Sequence, residues 1–211
     1  HDTYGFPIDL TLEMAAEQGL TVDRDAFTRL MAEQRSRAKA DAKARKGMLT
    51  DPEAYATIRA QGETPFLGYD ELTVPTTVVG IIADGRSVLH APAGPSVEIA
   101  LAQTPFYAEM GGQDSDTGII RANGLDLEVL DVQAPVPGLI VHKVQLDGDL
   151  AVGDEVSAQV DPAARFEACK AHTATHVLHA ALRELVGPSA TQAGSYNKPG
   201  YLRFDFNATK G

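Results

Sequence analysis

The stretch LDLEVLDVQAPVPGLIVHKVQL, residues 125–146, contains two apolar-rich runs on either side of a Pro137-Gly138 turn. The runs alternate apolar and polar residues or are rich in β-branched residues, as strands with one buried face are. We therefore predict two strands, over 125–132 and 139–146. A single hairpin is only marginally stable, so this pair needs further strands to cover its apolar face.

Similar runs recur on both sides of this stretch, between about residues 66 and 160. Turn dipeptides such as Asp84-Gly85, Asn123-Gly124 and Asp147-Gly148 separate them. Four more strands are predicted over residues 76–82, 96–101, 118–121 and 155–160. Six short strands at this spacing predict a small antiparallel barrel or a sandwich.

Helical patterns lie before and after the strand region. Before it, Gly19 is a helix stop, Asp23 and Asp51 are N-caps, and a short helix is predicted over 52–59.

After it, a helix is predicted from Asp161-Pro162 to Val186, followed by a hairpin of strands 192–196 and 201–206 with its turn over 197–200. The sequence thus predicts an α+β chain with three parts: a helical segment over 1–62, a β-barrel over 63–162 and an α+β part over 163–211.

The composition is that of a folded, acidic chain, with 44% apolar residues and a net charge of −11 over 211 residues. No apolar run approaches the ~20 residues of a membrane-spanning helix, and the start has no signal-peptide pattern. The single cysteine, Cys169, excludes an internal disulfide framework and suits a reducing cytosol. We expect a cytoplasmic protein with no membrane partner, and a start other than Met indicates an internal piece.

Acidic balance argues against nucleic-acid binding over the whole surface, because phosphate contacts need Lys and Arg. One predicted helix is nevertheless basic between residues 35 and 46, with Asp41 as its only acidic residue. It is either a solvated helix face or a surface that contacts a phosphate backbone. The candidate contact residues are Arg35, Arg37, Lys39, Lys43, Arg45 and Lys46.

Histidines cluster on the helix that follows Asp161. His172 and His176 are four residues apart, His179 follows three later, and the three lie within about 60° of one another on the helix surface. Two imidazoles at this spacing can hold one metal ion, although a catalytic zinc needs three protein ligands. Cys169 is either a third ligand or a small buried residue. An apolar stripe is predicted on the opposite face, with Ala174, Val177, Leu178, Ala181, Leu182 and Leu185.

Several longer strings, in chain order, resemble segments of bacterial alanyl-tRNA synthetases. HDTYGFPIDLT, residues 1–11, is similar to the end of their tRNA-recognition helices, and TPFYAEMGGQ, residues 104–113, to their β-barrel. HTATHVLHAAL at 172–182, QAGS at 192–195 and LRFDF at 202–206 resemble the start of their editing domain. Together the strings extend over the whole chain.

The resemblance implies that His172 and His176 bind zinc together with a later Cys-x-x-x-His pair. It implies hydrolysis of tRNA(Ala) mischarged with serine or glycine, with Thr175 and Gln192 in the editing pocket and the loop Gly111-Gly112-Gln113 beside it. The basic stretch then becomes a candidate tRNA contact. The parent enzyme attaches alanine to tRNA(Ala) with ATP and Mg²⁺, for which we find no motif here, so neither is expected to bind.

This chain departs from the family pattern in two ways. No cysteine follows Cys169, so the second ligand pair is missing, and Met110 stands where the family usually has a small residue. We therefore expect a truncated editing domain that is inactive alone and binds zinc weakly or not at all. The strand over 201–206 should lose neighbours, leaving an edge through which chains self-associate.

Three other functions are weighed. One alternative is a non-catalytic tRNA-binding or structural module. Another is a freestanding trans-editing hydrolase, but residues 1–60 resemble the synthetase helices and so conflict with that hypothesis. Gly-Gly-Gln also occurs in release factors, but a tripeptide is weak evidence and its simpler interpretation is a glycine turn.

Overall fold

The computed structural model describes residues 51–94, 96–122 and 124–207, together with isolated positions between residues 15 and 29. The chain divides into two compact units, His1–Leu49 and Thr50–Gly211. The basic stretch proposed to contact tRNA lies outside the described residues.

Two predicted helix boundaries of the first unit lie at described positions. The amide of Leu20 donates to the carbonyl oxygen of Ala15 at 2.8 Å, across Gly19 with its φ of +69°. The amide of Ala26 donates to the carboxylate of Asp23 at 2.8 Å. The predicted helix stop at Gly19 and the predicted N-cap at Asp23 are thus confirmed.

In the second unit, helix α1, Pro52–Arg59, has the predicted bounds and the predicted cap. The Asp51 carboxylate accepts a first-turn amide at 3.0 Å, and proline occupies the first helical position, where no intrahelical donor is needed. Ile58 packs so closely on the sheet that a Cβ added at Gly80 would lie 2.6 Å from its Cδ1 atom. Glycine at that position therefore lets the helix reach the sheet.

The strand region forms a closed antiparallel barrel, not a sandwich. Its strands are β1 Thr73–Ala83, β2 Arg86–Val88, β3 His90–Ala91, β4 Ser96–Leu101, β5 Gly118–Ala122, β6 Leu125–Val136, β7 Leu139–Gln145, β8 Leu150–Ala151 and β9 Glu155–Val160. Six of them follow one another around the barrel in the order β1, β4, β7, β6, β5 and β9. Pairing of β9 with β1 closes the ring, so neither strand is left as an open edge.

Side chains along each strand point alternately into the barrel and away from it, and both faces carry buried apolar residues. Residues such as Ile81 and Ile99 point into the barrel, where they form the main core with side chains from all six strands. Their neighbours Ile82 and Ala100 point outward and are covered by α1. All six predicted strands are confirmed, and β2, β3 and β8 were missed because two or three residues are too few to show a period.

Beyond the barrel, helix α2, Pro162–Leu185, leads to a hairpin of β10, Thr191–Lys198, and β11, Tyr201–Asn207. The carboxylate of Asp161 caps α2 by accepting two first-turn amides at 2.8 and 3.1 Å. β10 runs through Lys198, so the prediction of a four-residue turn over 197–200 was wrong. Neither α1 nor α2 is both long and apolar enough to cross a membrane.

The buried face of α2 is not the predicted apolar stripe. Its buried residues are Ala168, Ala171 and Thr175, which share a face at helical spacing. The stripe is largely exposed, with Val177 at 64% and Leu185 at 85% of their accessible surface. The buried face of the helix thus consists of small side chains. A prediction that looks for large apolar residues does not find such a face.

A buried histidine lies in the barrel wall. The His142 ring is fully buried, with Nδ1 at 3.1 Å from the Ile99 carbonyl oxygen and Nε2 at 2.8 Å from Thr104 Oγ1. Because a carbonyl only accepts, Nδ1 carries the proton and Nε2 accepts from the threonine hydroxyl. Desolvation by burial lowers the pKa of His142 from 6.5 to about 4.

This histidine should make the barrel sensitive to acid. Between pH 6.5 and about 4, the unfolded chain binds a proton that the folded chain excludes, so stability is lost as pH falls through that window. For one proton the slope approaches about 1.4 kcal/mol per pH unit. In denaturant titrations across this range, His142→Gln should be less stable overall but lack this part of the slope. Exposed His90 is the control: His90→Gln should keep the wild-type slope, and an unchanged slope in His142→Gln would contradict the assignment.

Candidate functional site

An ion pair fixes where α2 leaves the barrel. The Arg165 guanidinium binds both carboxylate oxygens of Asp116, with Nε at 2.8 Å from Oδ1. It also donates to the carbonyl oxygens of Gly68 at 2.6 Å and Pro105 at 2.9 Å. The hydrogen bond to Asp116 is the main cause that raises the pKa of Arg165. Four hydrogen bonds thus run from the guanidinium to Gly68, Pro105 and Asp116, and they hold the first turn of α2 in place.

The predicted glycine loop is a tight turn. The backbones of Met110 and Gln113 exchange two hydrogen bonds, at 3.2 and 3.1 Å. Gly111 and Gly112 between them have φ values of +63° and +79°, the signature of a type I′ turn. Met110, before the two glycines, is 63% exposed, so it is not buried under the turn.

This turn docks on the hairpin beyond α2. The amide of Asn197 donates to the Gly112 carbonyl oxygen at 2.7 Å, and the amide of Asp114 donates to the Asn197 carbonyl oxygen at 2.9 Å. A Cβ added at Gly112 would lie 2.3 Å from the Ser195 carbonyl oxygen. The Tyr196 hydroxyl donates to the Asp114 carboxylate at 2.8 Å. The barrel loop is therefore paired with the hairpin through an isolated parallel bridge between Gln113 and Asn197.

The two histidines converge beside the docked turn. The Nε2 atoms of His172 and His176 are 3.0 Å apart, and their ring centroids 4.9 Å. The Nδ1 atom of His172 lies 2.7 Å from Oε1 of Gln113. His179 is not part of the pair, because its Nε2 donates to the Ala190 carbonyl oxygen at 3.2 Å and its ring packs on the hairpin.

The rings of His172 and His176 are joined by an N–H···N hydrogen bond, and their separation is close to that of two ligands of one zinc ion. Two nitrogens bound at ~2.0–2.1 Å to one tetrahedral zinc ion are about 3.3–3.4 Å apart. The observed 3.0 Å is within a few tenths of an ångström of that separation. Within the described residues, no group of three or more His, Cys, Asp or Glu side chains is arranged to hold a metal ion. Cys169 is a free, exposed thiol, so the prediction of a small buried residue there was wrong.

Thr175 contacts β10, the strand on which the glycine turn docks. It is 6% exposed, and its hydroxyl is 2.9 Å from the Ala171 carbonyl oxygen and 2.6 Å from the side-chain amide oxygen of Asn197. One hydroxyl proton is shared between two acceptors, so only the lone pairs of Thr175 can serve a ligand. Gln192 is exposed in β10 and donates to Ser195 Oγ at 3.0 Å, not to either histidine.

Sequence reasoning missed Asn197, which links the turn to Thr175. It was assigned to the hairpin turn because Asn before Lys-Pro-Gly is typical of turns. The alternation of Ser195 and Asn197 on one face of β10 is the signal that was available.

Comparison with known proteins identifies the family of the chain. The family of class II tRNA synthetases (A) matches residues 1–164. The chain belongs to that family. The matched residues include the barrel, the glycine turn and the first turn of α2.

Individual relatives are similar over all or nearly all of the chain. An alanine–tRNA ligase of Cutibacterium acnes is 80% identical over all 211 residues, which cover 24% of that relative. Alanine–tRNA ligases of Clavibacter michiganensis and Nocardia farcinica are 58% and 56% identical over 98% of the chain, each with 23% of its own length covered. The predicted resemblance to alanyl-tRNA synthetases is confirmed, and the chain spans about a quarter of the length of the curated relatives it matches.

The two glycines of the turn offer a matched test of docking. Alanine at either position carries the left-handed backbone penalty of roughly 1–2 kcal/mol. Gly111→Ala meets nothing within 4 Å, whereas Gly112→Ala places a methyl against the Ser195 carbonyl. Gly112→Ala should therefore lose hydrogen-exchange protection at the Asn197 and Asp114 amides, and Gly111→Ala should keep most of it. Equal protection in both variants would show that the turn does not need a close approach at Gly112.

Proposed function

We propose that this chain is part of a cytoplasmic alanine–tRNA ligase and contributes the first half of a site that hydrolyses tRNA(Ala) carrying serine or glycine. The observation that carries the proposal is the convergence of His172 and His176 beside the docked barrel turn. The similarity to alanine–tRNA ligases over the whole chain supports the substrate, and the paired imidazoles support the chemistry.

The histidines would hold the zinc ion that the resemblance implies. When bound, such an ion polarises an ester carbonyl or activates a water molecule. Both rings are on one helix. The fold of this chain therefore determines on which side of that helix an aminoacyl ester would lie.

Thr175 and Gln192 have different parts in this proposal. Because the Thr175 proton is shared within the protein, a seryl hydroxyl would donate to Thr175 and not accept from it. Alanine has no hydroxyl to donate, so the contact discriminates in the required direction. Gln192 keeps one amide oxygen and one amide hydrogen free of its bond to Ser195 Oγ, and both are on an exposed side chain.

The chain by itself should not complete the reaction. Two imidazoles supply half of a tetrahedral shell, and within residues 51–94, 96–122 and 124–207 no third His, Cys, Asp or Glu side chain completes a metal-binding group with them. This arrangement favours an inactive piece over a freestanding trans-editing hydrolase. A non-catalytic tRNA-binding or structural role remains the second proposal. The close docking of the barrel turn on the hairpin supports a structural role, whereas the net charge of −11 argues against tRNA binding over the whole surface.

Metal content tests the incomplete shell. After chelation and re-addition of zinc, the 211-residue chain should retain well under one ion per chain through dialysis, because only two ligands hold it. Stoichiometric zinc would contradict this, and its loss in Cys169→Ser would then identify the thiol as the third ligand.

The reaction itself is best tested in a larger chain. These residues would replace the matching segment of the Cutibacterium acnes relative, to which they are 80% identical. The chimera should release serine from Ser-tRNA(Ala), and His172→Ala with His176→Ala should lower that rate by roughly a hundredfold or more while alanine attachment is kept. The control is His90→Ala, on an exposed histidine in β3. Undiminished serine release in the double variant would reject the proposed site.

A further inference from the structure

We propose that Gln113 is a positioning residue, by which the barrel holds His172 in the tautomer that can bind a metal ion. The inference rests on the proposed function, since it concerns the ring that would bind the metal. Gln113 would not touch substrate or metal. It would act only through the ring of His172.

The position of the Gln113 side chain is fixed from its backbone outward. Its amide and carbonyl both bond to Met110 across the glycine turn, and the next amide, that of Asp114, bonds to the hairpin. The residue is 9% exposed, so its side chain has little freedom. Its Oε1 atom reaches Nδ1 of His172 at 2.7 Å, a short and well-formed hydrogen bond.

The chemistry of this contact decides the tautomer. An amide oxygen only accepts, so Nδ1 of His172 must carry the ring proton. Nε2 is then unprotonated, and its lone pair accepts a hydrogen bond from Nε2 of His176 at 3.0 Å; a metal ion would take the place of that proton. A neutral imidazole binds a metal ion only through its unprotonated nitrogen, and a partner on the other nitrogen orients the ring.

The contact joins two distant parts of the chain. Gln113 belongs to the barrel and His172 to α2, 59 residues later. The helix alone sets the spacing of the histidines but leaves both tautomers open. Docking of the glycine turn on β10 therefore helps to set the tautomer of His172. A substitution that undocks the turn should lower the affinity for the metal ion even though it does not touch the histidines.

Nitrogen-resolved NMR of the histidine rings tests the tautomer directly in the 211-residue chain without metal, at a pH where the rings are neutral. His172 should have a protonated Nδ1 and an unprotonated Nε2. Gln113→Met has nearly the same shape but no acceptor, so both tautomers should become populated. Gln113→Glu keeps an oxygen acceptor and should restore the wild-type tautomer. Gln145→Met, on an exposed glutamine of β7, is the matched control and should change nothing.

Metal affinity gives a second readout in the Cutibacterium chimera. Loss of an outer-shell partner typically lowers affinity 10–100-fold, so Gln113→Met should weaken Zn²⁺ or Co²⁺ binding by that factor and Gln113→Glu should recover it. Protection of the Asn197 amide from exchange reports whether the turn stays docked in each variant.

The outcomes separate this inference from the proposed function. A wild-type ring protonated on Nε2, as when the Gln113 amide nitrogen faces the ring, would overturn the positioning role. Unchanged tautomer and unchanged metal affinity in Gln113→Met would overturn it as well, whether or not serine is released. A tautomer that follows Gln113 in a chimera without hydrolysis would support the positioning role and reject the proposed function.

Discussion

The ion pair between Arg165 and Asp116 is the constraint on which the candidate site depends. The arginine and aspartate side chains are 14% and 4% exposed, so both charges are largely removed from water. Removing one partner of such a pair typically costs about 3–5 kcal/mol, because the other charge is left without compensation. The pair is positioned by the barrel itself, since the Asp116 carboxylate also accepts the Tyr107 amide at 2.6 Å. It therefore fixes the origin of α2, and a rigid helix places His172 about 10 Å further along.

A second constraint fixes the rotation and approach of the helix–hairpin part. The glycine turn meets β10 through backbone hydrogen bonds, which tolerate little change in distance. The small buried side chains of α2 face the same contact, so the helix approaches without large residues in between. One anchor at the start of α2 and one at the hairpin are enough to define a position for the histidine pair. The site is thus a product of docking, and the local helix spacing is only one of its conditions.

The sequence allowed most of the elements to be predicted, because their signals are local. Asp51 and Asp161 cap the two helices, and period-two patterns mark all six barrel strands. The failures concern contacts that no local pattern reports. The apolar stripe of α2 was taken as its packed face because large apolar residues usually are buried, yet Ala171 and Thr175 make the contact. The pairing of His172 with Gln113 joins elements far apart in sequence, so spacing alone could not show it.

The same long-range contacts explain why the barrel belongs to the site. An isolated helix and two-stranded hairpin bury too little apolar surface to be stable by themselves. Here the ion pair of Arg165, the Asp114–Tyr196 bond and the Gln113–His172 bond all join that part to the barrel. The barrel thus contributes polar partners to this part of the chain, and hydrogen bonds and ion pairs of this kind depend on direction. Such contacts fix the orientation of the helix as well as its position, and two imidazoles that were to share one metal ion would require both.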